Sequence, residues 1–336
     1  MVSQQGDDKS RLAVHTVFQT PSWVRLLADL SGAYGWRAVD LIREGRFAVP
    51  WYLVERRWKG VFRSLDAMPF GLYGPPFANS DNASIELDLP LGLLKGRTVS
   101  LTYVEHPLLP KVAIRPSPGV VPCSQTVSTE ILLLPSTEEE MWAGISQYHR
   151  KKIRRARKAS VTIRPGSQEG DTDKFYQLYA PATKSWGYAE PPYPKSFFEK
   201  VLGQSDKLGI RLALAERERV AIAALITIDD FPAPLAWFGV QDNQSTQYYP
   251  YYLLVWEEIC RAISKGHKWF NFGSSGDLEG VRHFKLVWGA KTTPYQIHTL
   301  RKEPLCTWIE RLVQPAAKVR QAATYLMRYV VSRVHN

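Results

Sequence analysis

Hydrophobic and polar residues alternate along the 336-residue chain in two rhythms, and their order predicts an α/β (α+β) protein. In residues 20–31, Trp23, Leu26, Leu27 and Leu30 recur at helical spacing behind Thr20 and Pro21, a cap and a first-turn proline. Segments 36–43, 46–56 and 60–66 predict strands punctuated by Gly45 and Gly60. The stretch MPFGLYGPPF at 68–77 is too rigid for a linker and too broken for an element, so an ordered loop is expected. Beyond it the pattern predicts a helix over 81–89, a strand over 98–103, a proline-rich irregular stretch over 104–124 and a strand over 129–134.

Ser136 and Thr137, followed by Glu138, Glu139 and Glu140, have the chemistry of a helix start. One long helix is predicted from there to Lys158, with Met141, Trp142, Ile145, Tyr148 and Ile153 on its apolar face. A strand follows over 161–164, then helices over 173–186 and 194–204 and strands over 211–216, 220–229 and 235–240. The spacing next predicts a helix over 252–264, a strand over 269–273, a short helix or turn over 281–288 and a last strand over 295–300. Three consecutive strands imply a mixed sheet with an antiparallel meander. At roughly 150 residues per domain the length suits two domains. The expected division is 1–135 and 136–303, with 304–336 a basic amphipathic helix packing on the first domain.

Hydrophobic residues make up 45% of the chain, enough for a sizeable core. Cys123, Cys260 and Cys306 are scattered and odd in number, which fits a reducing compartment and offers no zinc-ligand spacing. The N-terminus lacks an apolar signal-like segment, and the longest apolar run, 220–228, falls short of the roughly 20 residues a bilayer needs. The expected location is the cytoplasm, with peripheral contact at the inner face of the cell membrane. A net charge of +11 favours polyanionic partners.

Three segments carry candidate chemistry. Seven of the nine residues from Arg150 to Lys158 are basic. A helix C-terminus rewards one or two cations, so Arg150, Lys151, Lys152, Arg154 and Arg155 are candidate nucleic-acid or phosphate contacts; the competing reading is a solvated charged face. Trp237 and the run Tyr248, Tyr249 and Tyr252 suit a sugar, adenosine or peptide, or else core packing. Ser274 ends a strand among glycines that could present N–H groups to an oxyanion. Beyond it Lys285 sits among Phe284, Leu286 and Trp288, either desolvated toward a developing charge or snorkelling to the surface. Walker, GxGxxG, GxSxG and HExxH patterns are all absent.

These segments, in this order, resemble the second domain of Fem-type peptidoglycan-bridge ligases of the GNAT-like superfamily, and the N-terminal half resembles their first domain. The resemblance implies two GNAT-like domains with mixed, largely antiparallel sheets flanked by helices. It implies transfer of an aminoacyl group from aminoacyl-tRNA to an amine of a cell-wall precursor, with Lys285 stabilising charge and Phe284 beside it. It implies no tightly bound cofactor, the aminoacyl-tRNA or acyl donor being a co-substrate. In place of the phosphate-cradling Q/RxxGxG/A loop of coenzyme A users stands Tyr249-Pro250-Tyr251-Tyr252. Two rival readings remain: an acyl-CoA or acyl-carrier N-acyltransferase of exopolysaccharide synthesis, and a non-enzymatic RNA or membrane-surface binder.

Overall fold

The computed structural model describes residues 16–302 except 32, 34, 44–46, 59–61, 75–84, 91, 186–187 and 277. The expected C-terminal helix, the end of the 68–77 loop and Asp277 lie outside the described residues. The chain forms two compact units, divided between Val127 and Ser128, with the described residues from Pro294 to Lys302 returning to the first. The sequence had suggested a break after 135 and a second domain running to 303.

In the first unit, helix α1 (Pro21–Leu30) starts as its cap signal predicts, with the Thr20 side chain accepting from the Trp23 amide. Strands β1 (Gly35–Arg43), β2 (Phe47–Trp58) and β3 (Phe62–Asp66) form an antiparallel meander. Residues 85–88, expected to be helical, form strand β4 (Ile85–Asp88) instead. Leu87 is buried while Glu86 is exposed, so this short segment alternates at the strand period. Strand β5 (Thr98–Val104) runs parallel to β3. The 104–124 stretch, expected to be irregular, holds β6 (Val112–Arg115), parallel to β4, and the start of β7 (Val120–Leu133). Its prolines fall mainly outside the paired residues, which leaves the ladder intact. Leu41, Trp51, Leu53, Leu65 and Leu101 are fully buried in this unit's core.

The second unit opens with α2 (Glu138–Gly144) and α3 (Gln147–Lys158), where one long helix was expected. Ile145 is extended, and Ser146 starts a new helix by accepting from the His149 amide. A second capping residue two positions after Gly144 thus outweighs the continuous apolar pattern. Strand β8 (Thr162–Pro165) and helices α4 (Asp171–Ser185), α5 (Lys195–Leu202) and α6 (Ser205–Leu208) lead into β9 (Ile210–Arg217), β10 (Val220–Ile228) and β11 (Leu235–Gln241). Strands β8 to β11 are an antiparallel meander, as the three consecutive runs predicted. A 3-10 turn (Asn243–Tyr248) precedes α7 (Pro250–Ser264), the most deeply buried helix of this unit. Strand β12 (Trp269–Asn271) lies between β11, to which it is parallel, and the end of β7. Helix α8 (Glu279–Val287) follows.

The final strand, β13 (Lys291–Lys302), pairs antiparallel with β5 through Ile297–Arg301 in the first unit. Among the described residues no helix is long and apolar enough to cross a membrane.

Candidate active site

Two lysines of the second unit are buried, and each is placed by its helix. On α8, Val281, Phe284 and Lys285 share the inward face at i, i+3 and i+4. Lys285 is therefore 4% exposed, neither snorkelling nor open to solvent. Its Nζ donates to the Gly273 carbonyl at 2.7 Å and to Glu130 Oε2 at 3.3 Å. Glu130, on β7, is completely buried and also accepts from the Ser275 hydroxyl. Arg282 Nε stands 3.7 Å from its other oxygen. The turn carrying Gly273 is fixed by Asn271, whose Oδ1 accepts from Gly273 N at 2.9 Å and from Thr129 Oγ1 at 2.7 Å. Gly273 has φ +74°, a conformation that favours glycine. Burial pushes the Lys285 ammonium down to about 8, against the opposing pull of Glu130.

The second lysine comes from the basic run. Helix α3 turns His149, Lys152, Ile153 and Ala156 inward, so Lys152, expected among the outward cations, is 6% exposed. Its Nζ donates to the hydroxyls of Tyr148 and, at 3.1 Å, Tyr252. It also lies 3.8 Å from the ring centroid of Tyr148, 4.4 Å from that of Tyr252 and 5.1 Å from that of Tyr249. Burial lowers Lys152 to about 8. His149 is 1% exposed and held down at about 4, first by burial and then by the charges of Lys152 and His283. Its Nδ1 lies 2.9 Å from the Ser146 hydroxyl, and its ring packs against Trp288 and Tyr252. Phe284 fills the next position, with its centroid 5.1 Å from that of Tyr252.

The outward face of α3 has a different character. Lys151, Arg154, Arg155 and Lys158, with Gln147, line a shallow surface cavity of about 250 Å3. Arg155 reaches the Tyr249 hydroxyl at 3.4 Å, which ties this face to the tyrosine cage. Arg150 instead caps the end of α2 through the carbonyls of Trp142 and Ala143, and Arg157 pairs with Glu257. The seven cations of the run thus serve at least three purposes.

The remaining expected residues are dispersed. Tyr249 and Tyr252 join the Lys152 cage, while Tyr248 lies under the Arg217 guanidinium, 4.4 Å from its carbon. Trp237 packs into an aromatic cluster with Phe197 and Phe238. Ser274 accepts from the Gly276 amide, and its neighbour Ser275 is the serine that joins the lysine network. The sequence reading missed Glu130, Ser275, Tyr148 and His149. Glu130 left a signal, a lone acid inside the apolar run Thr129–Leu134.

Residues 145–290, which span both lysines, match the acetyltransferase (GNAT) domain family. The strands, flanking helices and this match make residues 145–290 a GNAT-type acyltransferase domain. The whole chain is similar in fold to the crystal structure of FemX, at 13% identity and a TM-score of 0.57, covering 88% of this chain and 96% of that one. It is likewise similar to a conserved protein of unknown function from Bacteroides thetaiotaomicron VPI-5482, at 12% identity and a TM-score of 0.52, covering 83% and 90%. No curated protein matches the chain.

Proposed function

We propose that this acyltransferase moves an aminoacyl group from aminoacyl-tRNA to an amine of a cell-wall or related precursor, forming an amide. The observation that carries the reading is the pairing, within one GNAT domain, of a buried Lys285 ammonium with an outward cationic face on α3. The resemblance to Fem-type ligases and the fold likeness to FemX point the same way.

In this reading the amine attacks the ester carbonyl carbon, and the charge developing on the carbonyl oxygen is met by the third N–H of Lys285. Glu130 and Gly273 use two of its three N–H groups and aim the ammonium. Lys151, Arg154 and Arg155 hold phosphates of the donor. The enzyme works at the cytoplasmic side, where its co-substrates are found, with peripheral contact at the membrane face. An acyl-CoA or acyl-carrier donor is the second reading, supported by the GNAT match itself.

The test is incubation of the purified protein with an amine acceptor and either labelled aminoacyl-tRNA or labelled acyl-CoA, read by mass spectrometry of the amide product. Ribonuclease-sensitive product supports the tRNA donor. Ribonuclease-resistant product made from acyl-CoA replaces it with the second reading.

A further inference from the structure

An amine that attacks an ester must lose a proton, and the group that takes it must be comfortable both with and without that proton. The two buried lysines differ in this respect. Lys285 faces a carboxylate and a backbone carbonyl, both of which only accept hydrogen bonds. A neutral amine there would leave Glu130 buried without its cation, so those partners hold Lys285 as an ammonium. Lys152 faces the hydroxyls of Tyr148 and Tyr252. A phenol both donates and accepts, so this cage can hydrogen-bond Lys152 in either form.

The electrostatics agree with the geometry. The groups facing Lys152 are Tyr148 and His149 from its own helix, Tyr249 just before α7 and Tyr252 within it, with Arg155 behind Tyr249. Among the described residues no carboxylate pairs with Lys152. His149 is neutral above about pH 4 and adds no charge at physiological pH. The cage also has an opening: Tyr148 is 45% exposed and Tyr249 half-buried, on the side where Arg155 and Lys151 stand.

We propose that Lys152, in its cage of Tyr148, Tyr249 and Tyr252, is the proton acceptor of the transfer reaction. The inference rests on the acyl-transfer reading and supplies the base that reading lacks. The amine nitrogen forms its bond to the carbonyl carbon, and its surplus proton passes to neutral Lys152 directly or through the Tyr148 hydroxyl. The bond between that carbon and the carrier oxygen then breaks, and Lys152 returns the proton to the departing oxygen. The products are an amide and a free hydroxyl, and Lys152 is neutral again. With a thioester donor the sulfur leaves and takes the same proton.

Two measurements decide it. In single-turnover transfer, Lys152→Ala is expected to lose about 100-fold or more. Added ethylamine restores the rate in proportion to its free-base concentration. Lys152→Arg, which keeps the charge but cannot take up a proton, stays equally slow. An arginine variant as fast as wild type, or an alanine variant that folds but shows no amine rescue, overturns the proposal. Trace acetylation of the wild-type protein across pH needs no turnover: labelling of Lys152 with a midpoint near 8 is expected. A midpoint near the ordinary lysine value of about 10.4, or no labelling, overturns the proposal. If wild type transfers nothing from either donor, the transfer reading falls and this role with it. If Lys152→Arg keeps its rate, only this role falls.

Discussion

Glu130 governs Lys285 in two ways, and a single substitution separates them. Its carboxylate orients the ammonium, and its charge opposes the loss of the proton that burial favours. Glu130→Gln keeps the shape but removes the charge, so Lys285 should hold its proton only at lower pH. Transfer by Glu130→Gln is therefore expected to fall off at lower pH than wild type on the alkaline side, as a pH profile of single-turnover rates would show. An unchanged profile would remove Glu130 from the mechanism. Lys285→Ala should cost about 100- to 1,000-fold in rate, the scale for losing one oxyanion donor. The burial of Lys285 was legible in the sequence, where it stood out as a charge in an apolar frame. Its partner did not, because Glu130 is 155 positions away along the chain and meets it only through the pairing of β7 with β12.

At the scale of elements, α3 shows how one helix divides its charges. The composition of 150–158 suggested an anion-binding segment or a solvated charged face, but composition carries no direction. The helical phase sends Lys152 to the interior and leaves Lys151, Arg154, Arg155 and Lys158 outside. Replacing Lys151, Arg154 and Arg155 with alanine should weaken RNA binding across sequences and reduce the slope of log affinity against log salt by about one per cation. Filter binding at several salt concentrations would show it; an unchanged slope would mean that this face does not touch phosphate. The helix depends on Ser146 for its start, and Ser146→Ala should cost about 1 kcal/mol, measurable by chemical denaturation. The break before Ser146 was hidden in the sequence because the apolar residues on either side keep helical spacing across it. Strand β4 was misread for a related reason: four residues are too few for a period to declare itself.

On the scale of the whole molecule, the mixed α/β class and the meander were readable from period and order, since each depends on local pattern. Which strands meet was not, since pairing is decided by contacts distant in sequence. Stability shows the same dependence on the folded whole. The unfolded chain protonates His149 near its ordinary value, whereas the fold holds it down at about 4. Between these values the unfolded state binds the extra proton, so stability rises as pH climbs from about 4 to about 6.5 and gains nothing more from His149 above that. The contribution is about 3 kcal/mol by linkage. Melting temperatures measured through this window should rise with pH, and His149→Phe should flatten the rise. A variant with the wild-type slope would place the acid sensitivity elsewhere.

The return of β13 to pair with β5 leaves the first unit's sheet incomplete until Ile297–Arg301 have been made. A ribosome must deliver nearly every residue of the GNAT domain before the strand that completes its predecessor emerges. Until then β5 offers a bare edge where Ile297–Arg301 will lie, open to pairing with the wrong chain. A nascent chain halted at Thr293 should accordingly carry an adhesive, incomplete beginning.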